Sequence, residues 1–339
     1  MANIKFSAFT TETDDTQIDF LAGYQGTTMK KIAPNNITGA YPFLIDTDSL
    51  YSGFVPSGLT GNPQDNTILG IRAGDSLTSG DSNTLIGNNA GDSITTGTNS
   101  VAVGMDALAG TSTVGNNVAV GKNAYKVGTA ANNVYVGYDA GSAANTGSYQ
   151  VGIGVSAGNS NTGTGSIGIG WFTNRNNTAI GTISIGYQAG YSNTAGDRNT
   201  YLGYQSGYSV TTGEQNTLIG YQAGENNTGS YNTALGADAG RDHTGAKNVI
   251  IGAQAGLSMT TSDNNIVIGY DAEPSTATVD NEITLGDANI TALRIPGLQS
   301  GASDGDVLTF SSGTGVITLQ AGSGGGGATS LNGLSDVLI

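Results

Sequence analysis

The apolar positions repeat at an almost constant interval between residues 66 and 290. Each repeat ends in a glycine that follows three residues of high β propensity, as in Asn66-Thr67-Ile68-Leu69-Gly70 and Asn216-Thr217-Leu218-Ile219-Gly220. These anchor glycines lie at positions 70, 87, 104, 121, 137, 154, 170, 186, 203, 220, 236, 252, 269 and 286, so the interval takes only two values, which differ by one. A nearly fixed period of this length predicts a solenoid in which every repeat forms one coil. We number the coils from 1 (Gly70) to 14 (Gly286) and count positions from each anchor glycine.

The three residues before the anchor predict a short β-strand in every coil. Position −3 is always Thr, Val or Ile, and position −1 is always Leu, Ile or Val, whereas position −2 varies widely. Because side chains alternate along a strand, we expect the uniform positions to face the interior and the variable one to face outward. Several of these expected outward residues are apolar and are candidates for contact with another chain: Ile68, Leu85, Leu218, Ile250 and Val267.

Two further positions predict the shape of the coil. Position +3 is Ala in most coils, which indicates that two backbone segments approach closely and that the coil is flat. Position −4 is often Asn, which tolerates turn dihedrals and can form a stacked amide ladder. A coil of this length has room for two strands and two turns, and fourteen coils would form a rod about 60 Å long.

The predicted fold class is all-β: a β-solenoid (β-roll) of about 14 coils over residues 61–290. Residues 1–60 are predicted to form a small β-rich module, with strands at 17–22 and 28–32, that either caps the solenoid or attaches it to another protein. Residues 291–321 are predicted to form a neck and a β-hairpin, and 322–339 a Gly-rich hinge and tail. So thin a coil buries few large side chains, so we expect chains to associate side by side, most simply as a homotrimer.

One segment departs from the repeat. Between Trp171 and Gly181 an extra anchor-like run ends shortly before Gly186, and the Trp171-Phe172 pair replaces the usual small residues. The sequence is compatible with a local bulge or with a specialised surface patch.

Composition and charge restrict the partners. The chain has 55 glycines, no cysteine, 11 scattered basic residues and a net charge of −15, so we expect no nucleic-acid partner. We also expect neither an export signal nor membrane insertion, because no apolar run is long enough for either.

The sequence predicts no catalytic, cofactor-binding or metal-binding residues. Segments 163–168 and 154–158 match the dinucleotide-binding and nucleophile-elbow patterns, but both lie inside the repeat without the helix that those sites need. The only histidine, His243, is more than five coils from the elbow-like serine. Acidic residues lie mostly in turns, where Asp is favoured for backbone reasons. We therefore expect no enzyme activity.

Tyr187, Tyr204 and Tyr221 are the candidate surface-binding residues. Each opens a Tyr-Gln pair at position +1, in three consecutive coils, so the three rings are predicted to stack. Such a column could bind sugar rings, or it could simply stabilise the coils or a seam between chains.

Three runs, NTLIGYQAG (216–224), NTYLGYQSGYS (199–209) and NSVAVGMDA (99–107), resemble repeats of trimeric fibre proteins. They are similar to the heads of trimeric autotransporter adhesins, which form a left-handed parallel β-roll, and more closely to the repeat regions of tailed-bacteriophage tail fibres. Residues 282–298 look like the exit neck of such phage repeats, and residues 1–34 resemble the start of fibre-like phage structural proteins. Neither the signal sequence nor the membrane-anchor barrel of the autotransporters is recognisable, which favours the phage group.

The resemblance implies a structural virion fibre, either a tail fibre or a capsid-attached fibre, made in the host cytoplasm and carried on the particle exterior. Its implied partners are two further copies of itself, a phage tail or capsid protein bound through residues 1–60, and a host-surface glycan or protein. The alternative is a glycan-binding or surface-binding solenoid adhesin.

Overall fold

The computed structural model describes residues 63–111, 113–143 and 145–291, together with the backbone of four strands outside these ranges. The chain divides into two compact units, Met1–Asp287 and Ala288–Ile339. The strands predicted at 17–22 and 28–32, and the hinge and tail predicted at 322–339, lie outside the described residues. The part of the chain that the structure describes contains no helix.

One continuous sheet of sixteen strands runs through the first unit, which confirms the predicted all-β solenoid. Every coil contributes one short strand, paired in parallel with the strand of each neighbouring coil. The strands are β3 (Thr67–Leu69), β4 (Thr84–Ile86), β5 (Val101–Val103), β6 (Val118–Val120), β7 (Val134–Val136), β8 (Val151–Ile153), β9 (Ile167–Ile169), β10 (Ile183–Ile185), β11 (Thr200–Leu202), β12 (Thr217–Ile219), β13 (Thr233–Leu235), β14 (Val249–Ile251), β15 (Ile266–Ile268) and β16 (Ile283–Leu285).

Two strands precede coil 1 in the same sheet. β1 (Leu44–Asp46) pairs antiparallel with β2 (Ser49–Ser52), and β2 pairs in parallel with β3, Tyr51 lying opposite Ile68. The end of the predicted N-terminal module therefore extends the solenoid sheet and pairs an edge of β3 that would otherwise be open.

The second unit contains a hairpin. β17 (Val307–Phe310) and β18 (Ile317–Gln320) pair antiparallel, with Phe310 opposite Ile317. This confirms the hairpin predicted within the 291–321 segment.

The prediction of two strands per coil is wrong. Opposite the strand, successive coils are joined through turns, as in the bonds from the Gly74 amide to the Ala90 carbonyl at 2.9 Å and from the Ser76 amide to the Asp92 carbonyl at 3.0 Å. These turns contain left-handed residues, such as Arg72 (φ 57°) and Gly74 (φ 60°), which interrupt any extended conformation. Hydrogen bonding between coils is therefore maintained without a second strand.

The predicted orientation of the strand is also wrong. Position −2 is buried in coils 1 to 13, whereas positions −3 and −1 are partly or largely exposed. Ile68, Leu85, Leu218, Ile250 and Val267, which were expected outside, are completely buried, and Leu69 and Leu202 expose 44% and 43% of their surface. In so short a strand a narrow coil can enclose the central side chain alone, so the two flanking side chains point outward.

The interior consists of stacked columns at positions −4, −2, +3 and +7, joined in coils 3, 4 and 7 by the buried side chains of Leu108, Tyr125 and Asn174 at position +4. Its aliphatic and aromatic members form two clusters, one between Ile68 and Ala140 and the other between Ala189 and Ala272. Between them position −2 holds Gly152, Gly168 and Ser184, and position +7 holds asparagine. The middle of the solenoid thus has a polar interior.

The Asn column at position −4 forms the predicted amide ladder. The Oδ1 atom of Asn199 accepts a hydrogen bond from the amide of Asn216 at 2.8 Å, and Asn216 does the same for Asn232 at 2.8 Å. In several coils the Nδ2 atom also donates to a carbonyl of the following coil, as from Asn199 to Gly213 at 2.7 Å. The left-handed residue is the one before, at position −5, so Asn is needed for its buried side chain rather than for turn dihedrals.

The anchor glycines occupy positions where no side chain fits. Gly220 has φ 141°, and a Cβ atom on it would lie 2.2 Å from the carbonyl oxygen of Gly236. The same contact recurs at most other anchors, so the glycine column reflects both a backbone conformation that L-residues avoid and a close approach of successive coils.

Trp171 to Gly181 contains no bulge. β9 and β10 pair in register, Ile167 opposite Ile183, although the interval between their anchors is the shorter of the two that the repeat uses. Gly181 has φ 67° and occupies position −5 of coil 8. All the remaining coils also have a left-handed residue at this position. The extra anchor-like run is therefore part of an ordinary turn.

Replacing Gly220 by Ala should cost about 3 kcal/mol or more, because a strained φ and a backbone clash act together. Gly165 is the matched control, since it also has positive φ (70°) but nothing lies within 4 Å of a Cβ placed there; its Ala variant should lose about 1 kcal/mol. Thermal unfolding and hydrogen exchange of coils 9 to 11 would measure the difference. Equal losses would show that the contact between coils is unimportant.

His243 predicts a pH dependence of stability. Its Nε2 atom lies 2.7 Å from Asn248 Nδ2 and its Nδ1 atom is buried without a hydrogen-bond partner. Burial lowers the pKa of His243 to about 4, from the ordinary value of 6.5, despite the opposing effect of Asp263. The folded state therefore binds fewer protons between these two values, so stability should fall as pH drops from 6.5 to 4, by about 3 kcal/mol in total.

The control is His243→Leu, which keeps the site apolar and should flatten this part of the pH profile. Urea unfolding at pH 4 to 7 for both proteins isolates the histidine from the carboxylates, which they share. Parallel profiles for the two proteins would contradict the assignment.

Candidate binding surface

The predicted stacking of the three candidate tyrosines is confirmed. The ring centroids of Tyr187 and Tyr204 are 4.9 Å apart and those of Tyr204 and Tyr221 are 5.2 Å apart, with both pairs within 10° of parallel. The indole of Trp171 extends this column by one coil and lies perpendicular to Tyr187, with centroids 5.6 Å apart. Four consecutive coils, 7 to 10, therefore carry aromatic rings at position +1.

A second aromatic column, not predicted from the sequence, runs beside the first. Tyr191 and Tyr208, both at position +5, stack with centroids 5.1 Å apart. Phe172 joins the columns, because its ring contacts Trp171 at 5.4 Å and Tyr191 at 6.4 Å. The signal for this column is present in the sequence as two tyrosines at the same repeat position of consecutive coils.

Amide side chains at position +2 form a ladder of their own. Gln205 Nε2 donates to Gln188 Oε1 at 2.9 Å, and Gln222 Nε2 donates to Gln205 Oε1 at 3.3 Å. Arg175 donates from its guanidinium to the Tyr191 hydroxyl at 2.6 Å and lies 5.1 Å from the centre of the Phe172 ring. We call this set the aromatic surface; it comprises Trp171, Phe172, Arg175, Tyr187, Gln188, Tyr191, Tyr204, Gln205, Tyr208, Tyr221 and Gln222.

Stacking limits what the tyrosines can offer to a ligand. Both faces of Tyr204 are covered by neighbouring rings, so its 43% exposed area consists of the ring edge and the hydroxyl. Trp171 is 50% exposed, and among the residues that the structure describes only Phe172 stacks on its face. The open indole face is therefore the best platform on this surface for a flat apolar group.

Part of the aromatic surface covers coils with a polar interior. Ser184 Oγ donates to Asn174 Oδ1 at 2.5 Å, and Asn174 Nδ2 donates to the Ile167 carbonyl at 2.9 Å. Coils 9 and 10, by contrast, enclose Tyr201 and Leu218. The external rings therefore do not simply follow the places where the apolar core is weak.

Two aspartates bond backbone amides across neighbouring coils. Asp197 Oδ1 accepts the Ile180 amide at 2.8 Å and Asp263 Oδ1 accepts the Ala246 amide at 2.7 Å, as expected for aspartate in turns. Segments 154–158 and 163–168 lie in the coils with no helix near them in the described ranges. Within those ranges no three His, Asp or Glu side chains converge as metal ligands, and no helix could span a membrane.

Comparison with known proteins adds no relative: no protein family, curated protein or solved structure matches this chain.

Replacing Tyr204 by Ala should lower stability by about 1 to 2 kcal/mol, because two ring–ring contacts are lost. Tyr270 is the matched control: it occupies the same position in coil 13, is 67% exposed and has no ring partner among the described residues. Urea unfolding of Tyr204→Ala and Tyr270→Ala would measure the contribution. Equal losses would show that the stack adds nothing to stability.

Proposed function

We propose that this chain is a structural fibre of a bacteriophage particle, a tail fibre or a capsid-attached fibre, in which three copies associate side by side. Residues 1–60 attach the fibre to a tail or capsid protein, and the solenoid forms a stiff shaft that also contacts the host surface. The protein is made in the host cytoplasm and lies on the particle exterior. Catalysis, cofactors, nucleic acid and membrane insertion have no part in this function.

The exterior strand face carries the proposal. In all fourteen coils positions −3 and −1 hold only Thr, Val, Ile or Leu, and no charged residue occurs at either. The internal position −2 varies from Gly to Tyr. A surface that is more uniform than the core it covers is expected where it packs against something with the same period, such as another copy of the solenoid.

The size of this face supports the same conclusion. Fourteen strands spaced about 4.8 Å apart, each presenting a segment about 7 Å long, give a strip on the order of 500 Å². A patch of that size matches the largest apolar patch of a typical monomer, and such patches are often functional. Association about an axis parallel to the solenoid would cover the strips of all the copies, and the fibre resemblance makes that number three.

A shaft role is consistent with the way the coils are joined. Each coil bonds only to its neighbours, through strand pairing and turn-to-turn hydrogen bonds along the whole described solenoid. Such a structure resists bending and extends in proportion to its repeat number.

A glycan-binding or surface-binding adhesin is the second candidate. The aromatic surface favours it, because coils 7 to 10 carry consecutive aromatic rings at position +1, where the other coils, apart from Tyr138 and Tyr270, carry small, polar, charged or aliphatic residues. Binding of the purified protein to host cells, together with normal particle assembly when the gene is deleted, would favour the adhesin over the fibre.

Electron microscopy of the purified protein and of the particle that carries it tests the fibre directly. We expect the solenoid part of each rod to be about 60 Å long, from the usual spacing of paired strands, with threefold symmetry and attachment through the N-terminal end. Deletion of residues 1–40, which leaves β1 and β2 in place, should abolish incorporation into particles without dissociating the rods. Particles that lack the protein altogether would overturn the proposal.

Lysine at exterior strand positions should dissociate the assembly. Leu202 and Leu235 expose 43% and 44% of their surface in the single chain, so Leu202→Lys with Leu235→Lys should leave the coil intact while burying charge in any interface. Mass photometry should give three times the chain mass of 34.0 kDa for the wild type and the single-chain mass for the variant. The control pair is Thr211→Lys with Thr228→Lys, at exposed turn positions; it should remain assembled.

A further inference from the structure

We propose that the aromatic surface of coils 7 to 10 is a binding site for a neutral glycan, with the open face of Trp171 as its stacking platform. The glycan site rests on the proposed function in one respect: it is the place on the shaft that would contact the host surface, and a neutral glycan is the host group that it would bind.

The rings are not a requirement of the coil. The same position +1 is filled by Asn88, Lys122, Ala237 and Ala253 in coils that make the same turn and the same hydrogen bonds, and by the isolated tyrosines Tyr138 and Tyr270 in two others. Within the described solenoid, aromatic residues occupy both columns, +1 and +5, only in coils 8 and 9, and the rings of coils 7 and 10 flank them. A local concentration of exposed and half-buried rings in contact with one another, on an otherwise similar scaffold, indicates a surface selected for contact.

The aromatic surface combines one flat indole face, that of Trp171, with a row of tyrosine ring edges beside it. Trp171 lies perpendicular to Tyr187, and the tyrosines above are parallel to one another within 10°. The indole plane therefore runs along the column, and a pyranose ring stacked on it would lie along the solenoid. Further sugar units would then meet the hydroxyl edges of the tyrosines.

The polar groups of this surface suit sugar hydroxyls. Each amide of the Gln188, Gln205 and Gln222 ladder keeps an N–H and an oxygen lone pair that the ladder does not use. A pyranose offers the complement, with C–H groups on one face for the indole and hydroxyls at its rim for amides and phenols.

Charge favours a neutral ligand. Positions +1, +2 and +5 of coils 7 to 10 contain two charged residues, Arg175 and Glu225. The Arg175 guanidinium donates one hydrogen bond to the Tyr191 hydroxyl and lies over the Phe172 ring, and the Glu225 carboxylate opposes an anion. The chain as a whole carries a net charge of −15, which repels acidic glycans.

Trp171 is the only tryptophan in the chain, so its fluorescence reports on this site alone. The experiment titrates the full-length protein with neutral oligosaccharides of at least four units, built from glucose, galactose, mannose or N-acetylglucosamine, and with a sialylated oligosaccharide for comparison. At least one neutral series should reduce acrylamide quenching of Trp171 by about half or more, and the sialylated sugar should not. Failure of every neutral series to protect Trp171 would overturn the inference.

Variants separate binding from structure. By calorimetry, Trp171→Ala should weaken the selected glycan at least about tenfold, equivalent to about 1.4 kcal/mol, whereas Trp171→Phe should retain most of the affinity. Gln205→Leu provides a second test that leaves the rings in place and should also weaken binding. Tyr270→Ala, at the same repeat position outside the surface, should bind like the wild type.

Unchanged affinity in Trp171→Ala, with only its melting temperature lowered, would assign the rings to coil stability instead. Mass photometry on the same samples keeps the two proposals distinct. A single-chain mass with intact glycan binding would contradict the trimeric fibre. A trimeric mass without protection of Trp171 would contradict the glycan site.

Discussion

Hydrogen bonding between successive coils fixes the spacing within which every other group of the solenoid must fit. At each anchor it places one backbone directly over the next, as where a Cβ on Gly252 would lie 2.1 Å from the carbonyl oxygen of Gly269. Only glycine satisfies that contact, and the same spacing aligns the buried asparagines so that each side chain completes the bonding of the next coil. The sequence repeat therefore follows from the constant spacing between successive coils.

That spacing also explains why the two faces of the sheet differ. The interior is narrow and filled by one strand residue per coil, and it accommodates Tyr135 beside Gly152, where a Cβ on the glycine would clash with the tyrosine ring. The exterior has no such freedom to compensate, because in the proposed assembly each side chain must match a partner at a fixed interval. The residues on the exterior strand face are therefore uniform in type, whereas the strand residues of the core vary.

Much of the architecture could be predicted from the sequence, because the anchors, the strand residues and the Asn ladder recur along the solenoid. The direction of the strand could not: alternation alone shows that Val101 and Val103 share a face, but not which face is inside. The usual assumption that uniform apolar residues are buried fails here, because the narrow coil encloses only the central residue of each strand. The stacked tyrosines at position +1 were predictable from their spacing, whereas the free face of Trp171 and the covered faces of Tyr204 depend on ring orientations that no spacing specifies.

The strands stay in register whether the interval between anchors is the shorter or the longer one, as Val118 pairs with Val101 on one side and with Val134 on the other. The odd residue is absorbed in the turn that follows position +7, away from the sheet. Whole repeats can accordingly be gained or lost without disturbing the register of the strands on either side of the junction. Related genomes should then contain alleles that differ by complete coils, each changing the reach of the protein by one strand spacing while its two ends stay the same.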